Sequence, residues 1–135
     1  MTTVCVKNQL KFRVISGSFA ICKLAAADSV PQWAMKGIFV SVTRTADELS
    51  IVCPVENLPP QQRPEMVWTC LKLEGPFAFT QVGILEAFIQ PLVKEGISVF
   101  AIGTFDTDYV LIQKPIADRA IHALQSAGHE LIPRA

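Results

Sequence analysis

The sequence predicts an α+β protein built from two ferredoxin-like βαββαβ units, the first lacking its final helix. Three observations carry this prediction. The stretches RTADELSIV, residues 44–52, and TFDTDYVLI, residues 104–112, share one outline: a threonine, an acidic tip, then an apolar run. From Met66 onward, strand and helix patterns follow the order β-α-β-β-α-β. The matching part of the first half carries prolines where the second half carries a helix.

The repeat is an ordered one. LKFRVISGSFA, starting at Leu10, matches CLKLEGPFA, starting at Cys70, so that Gly17 corresponds to Gly75 and Phe19 to Phe77. Lys36-Gly37-Ile38 likewise corresponds to Glu95-Gly96-Ile97, and each triplet opens a run that ends in an acidic hairpin. Offsets of 58 to 60 preserve the order of the blocks, as expected of a duplicated supersecondary unit.

In the second copy, Met66 to Leu73 reads as a strand. Gln81 to Gly96 reads as a helix, with Leu85, Phe88, Ile89 and Leu92 recurring at the spacing of one buried face. Pro91 removes a backbone donor inside it, so a kink or fraying is expected there. Ile97 to Phe105 and Asp108 to Gln113 form two strands. Pro115 opens a second helix with Ala117, Ala120, Ile121 and Leu124 inward, and Gly128 stops it. His129 to Ile132 returns as the last strand of a four-stranded antiparallel sheet.

In the first copy Pro31 limits Ala25 to Lys36 to a turn or two. Pro59, Pro60 and Pro64 make the following segment a connector. The expected division is 1–53 for a degenerate first unit, 54–65 for the Pro-rich connector and 66–135 for the complete second unit, all in one globular body.

Composition restricts function. The chain has 135 residues, half of them hydrophobic and 18% charged, enough for a real core. Twelve basic residues balance twelve acidic ones, leaving no surplus charge for nucleic acid or an anionic membrane. MTTVCVKNQL lacks the features of a secretory signal and no apolar run approaches the ~18 residues of a membrane span, so a cytoplasmic protein is expected. Cys5, Cys22, Cys53 and Cys70 are scattered singly and far from His122 and His129. They read as reduced core thiols, with no metal site and no cofactor.

SVTRTADELSIV, followed later by GPFAFTQVGILEAFIQPLVKEGISVFAIGTFDTDYVLI, resembles the tandem ACT-domain proteins. It is most similar to the small bacterial group related to the regulatory half of aspartate kinases and to the CASTOR arginine sensors. The resemblance covers about Leu10 to Leu131. It implies paired ACT folds, a homodimer, and a small ligand such as an amino acid held at an interface; it implies no reaction.

Carried onto this sequence, the resemblance assigns the ligand site to the helix entry loop Thr80, Gln81, Val82, Gly83 and Ile84, and to a rim formed by Thr104, Phe105, Asp106 and Asp108. Gly83 either admits a ligand to first-turn amides or permits close helix–sheet packing. Asp108 either faces a cationic ligand group or bonds its own turn. Gln81 stands where several relatives carry an acidic residue. In the first copy Arg44, Thr45, Asp47 and Glu48 form either a carboxylate-binding cluster or a solvated hairpin tip.

No phosphate loop, dinucleotide fingerprint, nucleophile elbow or metalloprotease motif occurs, and no catalytic residue is expected. The alternatives are an interaction module with a vestigial ligand site and a small hydrolase using Cys53 or Cys70, which would need a histidine beside the thiol. His122 falls toward the polar side of its helix, and His129 reads as a loop or strand-edge residue.

Overall fold

The computed structural model describes residues 9–77 and 82–133. Its elements are β1 (Lys11–Leu24), β2 (Ser41–Arg44), β3 (Leu49–Pro54), β4 (Trp68–Leu73), α1 (Ile84–Lys94), β5 (Phe100–Gly103), β6 (Asp108–Gln113), α2 (Ala117–Ser126) and β7 (Glu130–Leu131). Elements from β4 to β7 reproduce the expected β-α-β-β-α-β order.

The chain divides within β1. Residues up to Ser16 join those from Thr69 onward in one framing unit, and Gly17–Trp68 form an inserted unit. The division therefore differs from the expected 1–53, 54–65 and 66–135: the start of β1 goes with the second copy, and the Pro-rich segment lies within the inserted unit.

The framing unit orders its strands β7-β1-β4-β6-β5. β1 and β7 pair in parallel, with Lys11 opposite Glu130 and Phe12 opposite Leu131. The sheet is thus five-stranded rather than four-stranded, because the start of β1 lies between the fourth and first strands of the repeat. Alternation of apolar residues gives a strand its buried face but not its neighbour, so sequence pattern could not place this strand.

Both helices of this unit pack on one face of the sheet. Leu10, Phe12, Val14, Leu71, Leu73, Val110 and Ile112 supply the sheet side of the core, Phe88 and Leu92 come from α1, and Ala120 and Leu124 from α2. The predicted α1 row is borne out, since Leu85 and Ile89 also pack against this cluster. Phe88 is fully buried and meets Phe12 edge to face at 5.3 Å. Burying a side chain of that size stabilises the fold by about 2–3 kcal/mol.

Pro91 neither ends α1 nor frays it, and the helix continues to Lys94. Glu95 N–H returns to the carbonyls of Pro91 and Leu92, and Ile97 N–H to that of Leu92, so the last turn is closed. The missing donor is replaced from outside the helix, as described below.

The inserted unit orders its strands β2-β3-β1 and has no α-helix among its described residues. Single 3₁₀ turns, Gln32–Met35, Val55–Asn57 and Pro60–Gln62, stand where helices would cover the sheet. Pro59 and Pro64 follow the second and third turns closely, where a longer helix would need a donor they lack. Ala20, Ala34, Leu49, Ile51, Cys53 and Leu58 form its core.

The duplication is legible in the backbone. Ser41 opposite Val52 through Arg44 opposite Leu49 in one hairpin matches Phe100 opposite Leu111 through Gly103 opposite Asp108 in the other, at an offset of 59. Both tips are closed by a threonine: Thr45 N–H donates to the Glu48 carbonyl at 2.9 Å, and Thr104 N–H to the Thr107 carbonyl at 2.8 Å. Each threonine hydroxyl oxygen also accepts an amide hydrogen, from Glu48 at 3.2 Å and from Thr107 at 3.3 Å.

Candidate ligand site

Gly83 precedes α1 with φ of 79°, in the left-handed region that other residues enter at a cost. Among the described residues nothing lies within 4 Å of the place a Cβ would occupy. No described residue of the sheet packs on the glycine, so helix–sheet packing does not require it, and its left-handed φ serves the turn. The first helical bond runs from Ala87 N–H to the Gly83 carbonyl at 2.9 Å, so the amides of Ile84, Leu85 and Glu86 precede the helical ladder.

An open groove of about 560 Å³ runs along α1, lined by Val82, Gly83, Glu86, Gln90 and Lys94, with Ala87, Pro91, Ala127 and His129 completing it. Glu86, Gln90 and Lys94 recur every fourth residue and share one face of the helix. The groove therefore offers an anion near the start of α1, an amide in the middle and a cation at its end. Val82 is 92% exposed, whereas Ile84 packs against the core and anchors the start of the helix.

The structure brings Val82 and Gly83 to this groove and does not bring the hairpin residues to it. Thr107 is buried and donates its hydroxyl to the Leu73 carbonyl at 2.8 Å. The Asp106 carbonyl accepts Phe77 N–H at 2.8 Å. Thr104 to Asp108 are thus docked on the chain that leaves β4. Phe105 is 78% exposed at the tip. Thr80 and Gln81 lie outside the described residues.

Asp108 is half-buried on the same face of β6 as Val110 and Ile112, and desolvation pushes its carboxyl above the usual aspartate range. Thr104, not Asp108, makes the bonds that close the turn. In the other hairpin the corresponding position is the fully buried Leu49, and Arg44 Nη1 donates to the Ala26 carbonyl. Arg44 is thereby tied to its own unit's backbone.

His129 is the residue that sequence reasoning undervalued. It stands in the loop directly before β7, as expected, but is only 5% exposed and stacks at a tilt on Phe88 with ring centres 5.4 Å apart. Its Nδ1 accepts Leu10 N–H at 3.1 Å, while Nε2 lies 3.2 Å from the Ala87 carbonyl. An amide nitrogen can only donate, so Nδ1 is unprotonated and Nε2 carries the hydrogen given to Ala87. The signal that could have found it is Pro91: a proline at position i leaves the carbonyl at i−4, here Ala87, without a helical donor.

Burial raises the thiols of Cys53 to about 11 and Cys70 to about 12, and raises Cys22 as well, so at neutral pH they remain protonated. His122 is exposed on α2. No group of metal-ligating side chains occurs among the described residues, and no helix there is long and apolar enough to cross a membrane.

The ACT-domain family model matches residues 65–126. A solved structure of a protein from Agrobacterium tumefaciens is 39% identical, with 94% of this chain and 95% of that chain covered and a TM-score of 0.83. The chain belongs to the ACT-domain family. Residues 17–61 of this ACT protein match a second model, described only as an N-terminal domain, which falls on the inserted unit. A Vibrio cholerae protein of unknown function, described as a possible transport protein, is 19% identical over 98% of this chain and 100% of its own, with a TM-score of 0.73. Clostridium acetobutylicum aspartate kinase is 14% identical over 83% of this ACT protein and 33% of the kinase, with a TM-score of 0.58. These two distant likenesses show the fold. No curated protein matches the chain.

Proposed function

We propose that this ACT protein is a non-catalytic, cytoplasmic regulator that binds a small molecule, an amino acid, through the loop that enters α1. The observation that carries the reading is that Gly83, at the start of α1, and the charged row Glu86, Gln90 and Lys94 line one groove. Amides of a first helical turn hold a carboxylate without a basic side chain, and Glu86 or Lys94 would discriminate among ligand side chains. Thr80, Gln81, Val82, Gly83 and Ile84 form the entry, while Thr104, Phe105, Asp106 and Asp108, which do not line this groove, stay outside the proposed site. Free thiols suit the reducing cytoplasm.

Binding would shift the population of whichever state a partner recognises. Calorimetry or thermal shift with each common L-amino acid tests the reading. A rise in melting temperature with one of them is expected, and no response at millimolar concentration of any overturns it.

A second reading, an interaction module, is favoured by β5. Phe100–Gly103 is an uncharged strand at the end of its sheet, and such edges pair with another chain. A homodimer joined at this edge follows. Light scattering should give twice the chain mass for the wild type and the chain mass for Ala101→Lys, and a monomeric wild type rules it out.

A further inference from the structure

We propose that His129 is a proton-sensitive latch: neutral, it ties strand β1 to helix α1, and on protonation it keeps the helix and releases the strand. The geometry carries this. The ring joins two backbone groups on different elements, Leu10 N–H before β1 and the Ala87 carbonyl in α1. A proton added to Nδ1 turns the acceptor into a donor that points at another donor. The Leu10 bond cannot survive that change without movement. The bond to Ala87 only strengthens, since a charged donor binds a carbonyl more tightly.

No other ring position can accept the proton, because Nε2 already carries its hydrogen. Pro91 fixes the polarity of the latch: it guarantees that Ala87 needs a donor, and so holds the ring in the tautomer whose Nδ1 is basic. The charged side chains that line the two grooves bordered by His129 are Glu86 and Lys94 of α1, Lys11 of β1 and Glu130 of β7. From α2 and its end come Gln125 and Ala127, which do not titrate. Those linings hold two acids and two bases, and burial of the ring opposes protonation. The same ring walls the α1 groove, and proton uptake therefore loosens one side of the proposed ligand entry.

Nuclear magnetic resonance of the intact chain without ligand tests the latch. The His129 ring is expected to titrate below the ordinary histidine value of 6.5, and the Leu10 amide to shift with the same midpoint. In His129→Asn, whose side-chain oxygen can accept from Leu10 but cannot titrate, the Leu10 step should vanish. In Glu130→Gln it should persist. A Leu10 amide that stays flat through the His129 titration, or a step lost in Glu130→Gln, overturns the latch. Should His129→Asn fail to fold, coincidence of the two wild-type midpoints decides.

Discussion

His129 gives Ala87 the hydrogen bond that Pro91 withholds. The proline stands four residues after Ala87 and has no N–H, and Nε2 of His129 lies 3.2 Å from the carbonyl left over. A carbonyl left unpaired costs up to about 1–3 kcal/mol when shielded from water, and Ala87 is half-buried, so a helix-breaking residue and a distant histidine are one structural device.

That device makes a double-mutant prediction. Pro91→Ala restores the intrahelical donor and should stabilise the protein by about 1–3 kcal/mol. His129→Ala should cost about 2–5 kcal/mol in the wild type, where it strands both Leu10 N–H and the Ala87 carbonyl, and about 1–2 kcal/mol less in the Pro91→Ala background. Urea unfolding of the four proteins measures it, and strict additivity would refute the pairing.

Asp108 occupies the position of Leu49 in the other hairpin, on the apolar side of its strand. Its folded carboxyl titrates above its unfolded value, so the folded state binds more protons between the two. Stability should therefore fall as pH rises through and above the usual aspartate range. Asp108→Leu should remove that dependence and stabilise the fold by up to about 1 kcal/mol, the carboxyl being only partly buried. A loss of stability in this variant would show the carboxylate to be structural.

The two threonines of the second hairpin should differ in weight. Thr107→Val leaves the Leu73 carbonyl without its buried donor and should cost about 1–3 kcal/mol. Thr104→Val, at an exposed tip, should cost less than about 1 kcal/mol. Equal losses in thermal unfolding would contradict the docking role of Thr107.

Two glycines should respond to alanine for different reasons. At Gly83 no described residue stands within 4 Å of a Cβ, and the left-handed backbone resists, at about 1–2 kcal/mol. At Gly75 a Cβ would stand 2.8 Å from the Asp106 carbonyl oxygen, and the hairpin would have to move, at about 2–3 kcal/mol. Melting temperatures of the two variants give the order, and the larger loss at Gly83 would be the wrong sign.

Local rules settled much of this protein. The buried row of α1, the second helix, both hairpins and their echo depend on spacing along the chain, so periodicity and turn residues sufficed to read them, though the strand register sets the hairpin offset at 59 where the sequence match had it at 60. Prolines likewise announced that the first copy would lack helices. Only the tertiary structure decided which strand lies beside which: Leu10 and Phe12 show their buried face in the sequence, but not that β7, more than a hundred residues on, is their neighbour. The same holds for His129. Its role depends on a carbonyl orphaned 42 residues away, and a hydrogen bond between distant residues leaves no periodic trace in the sequence.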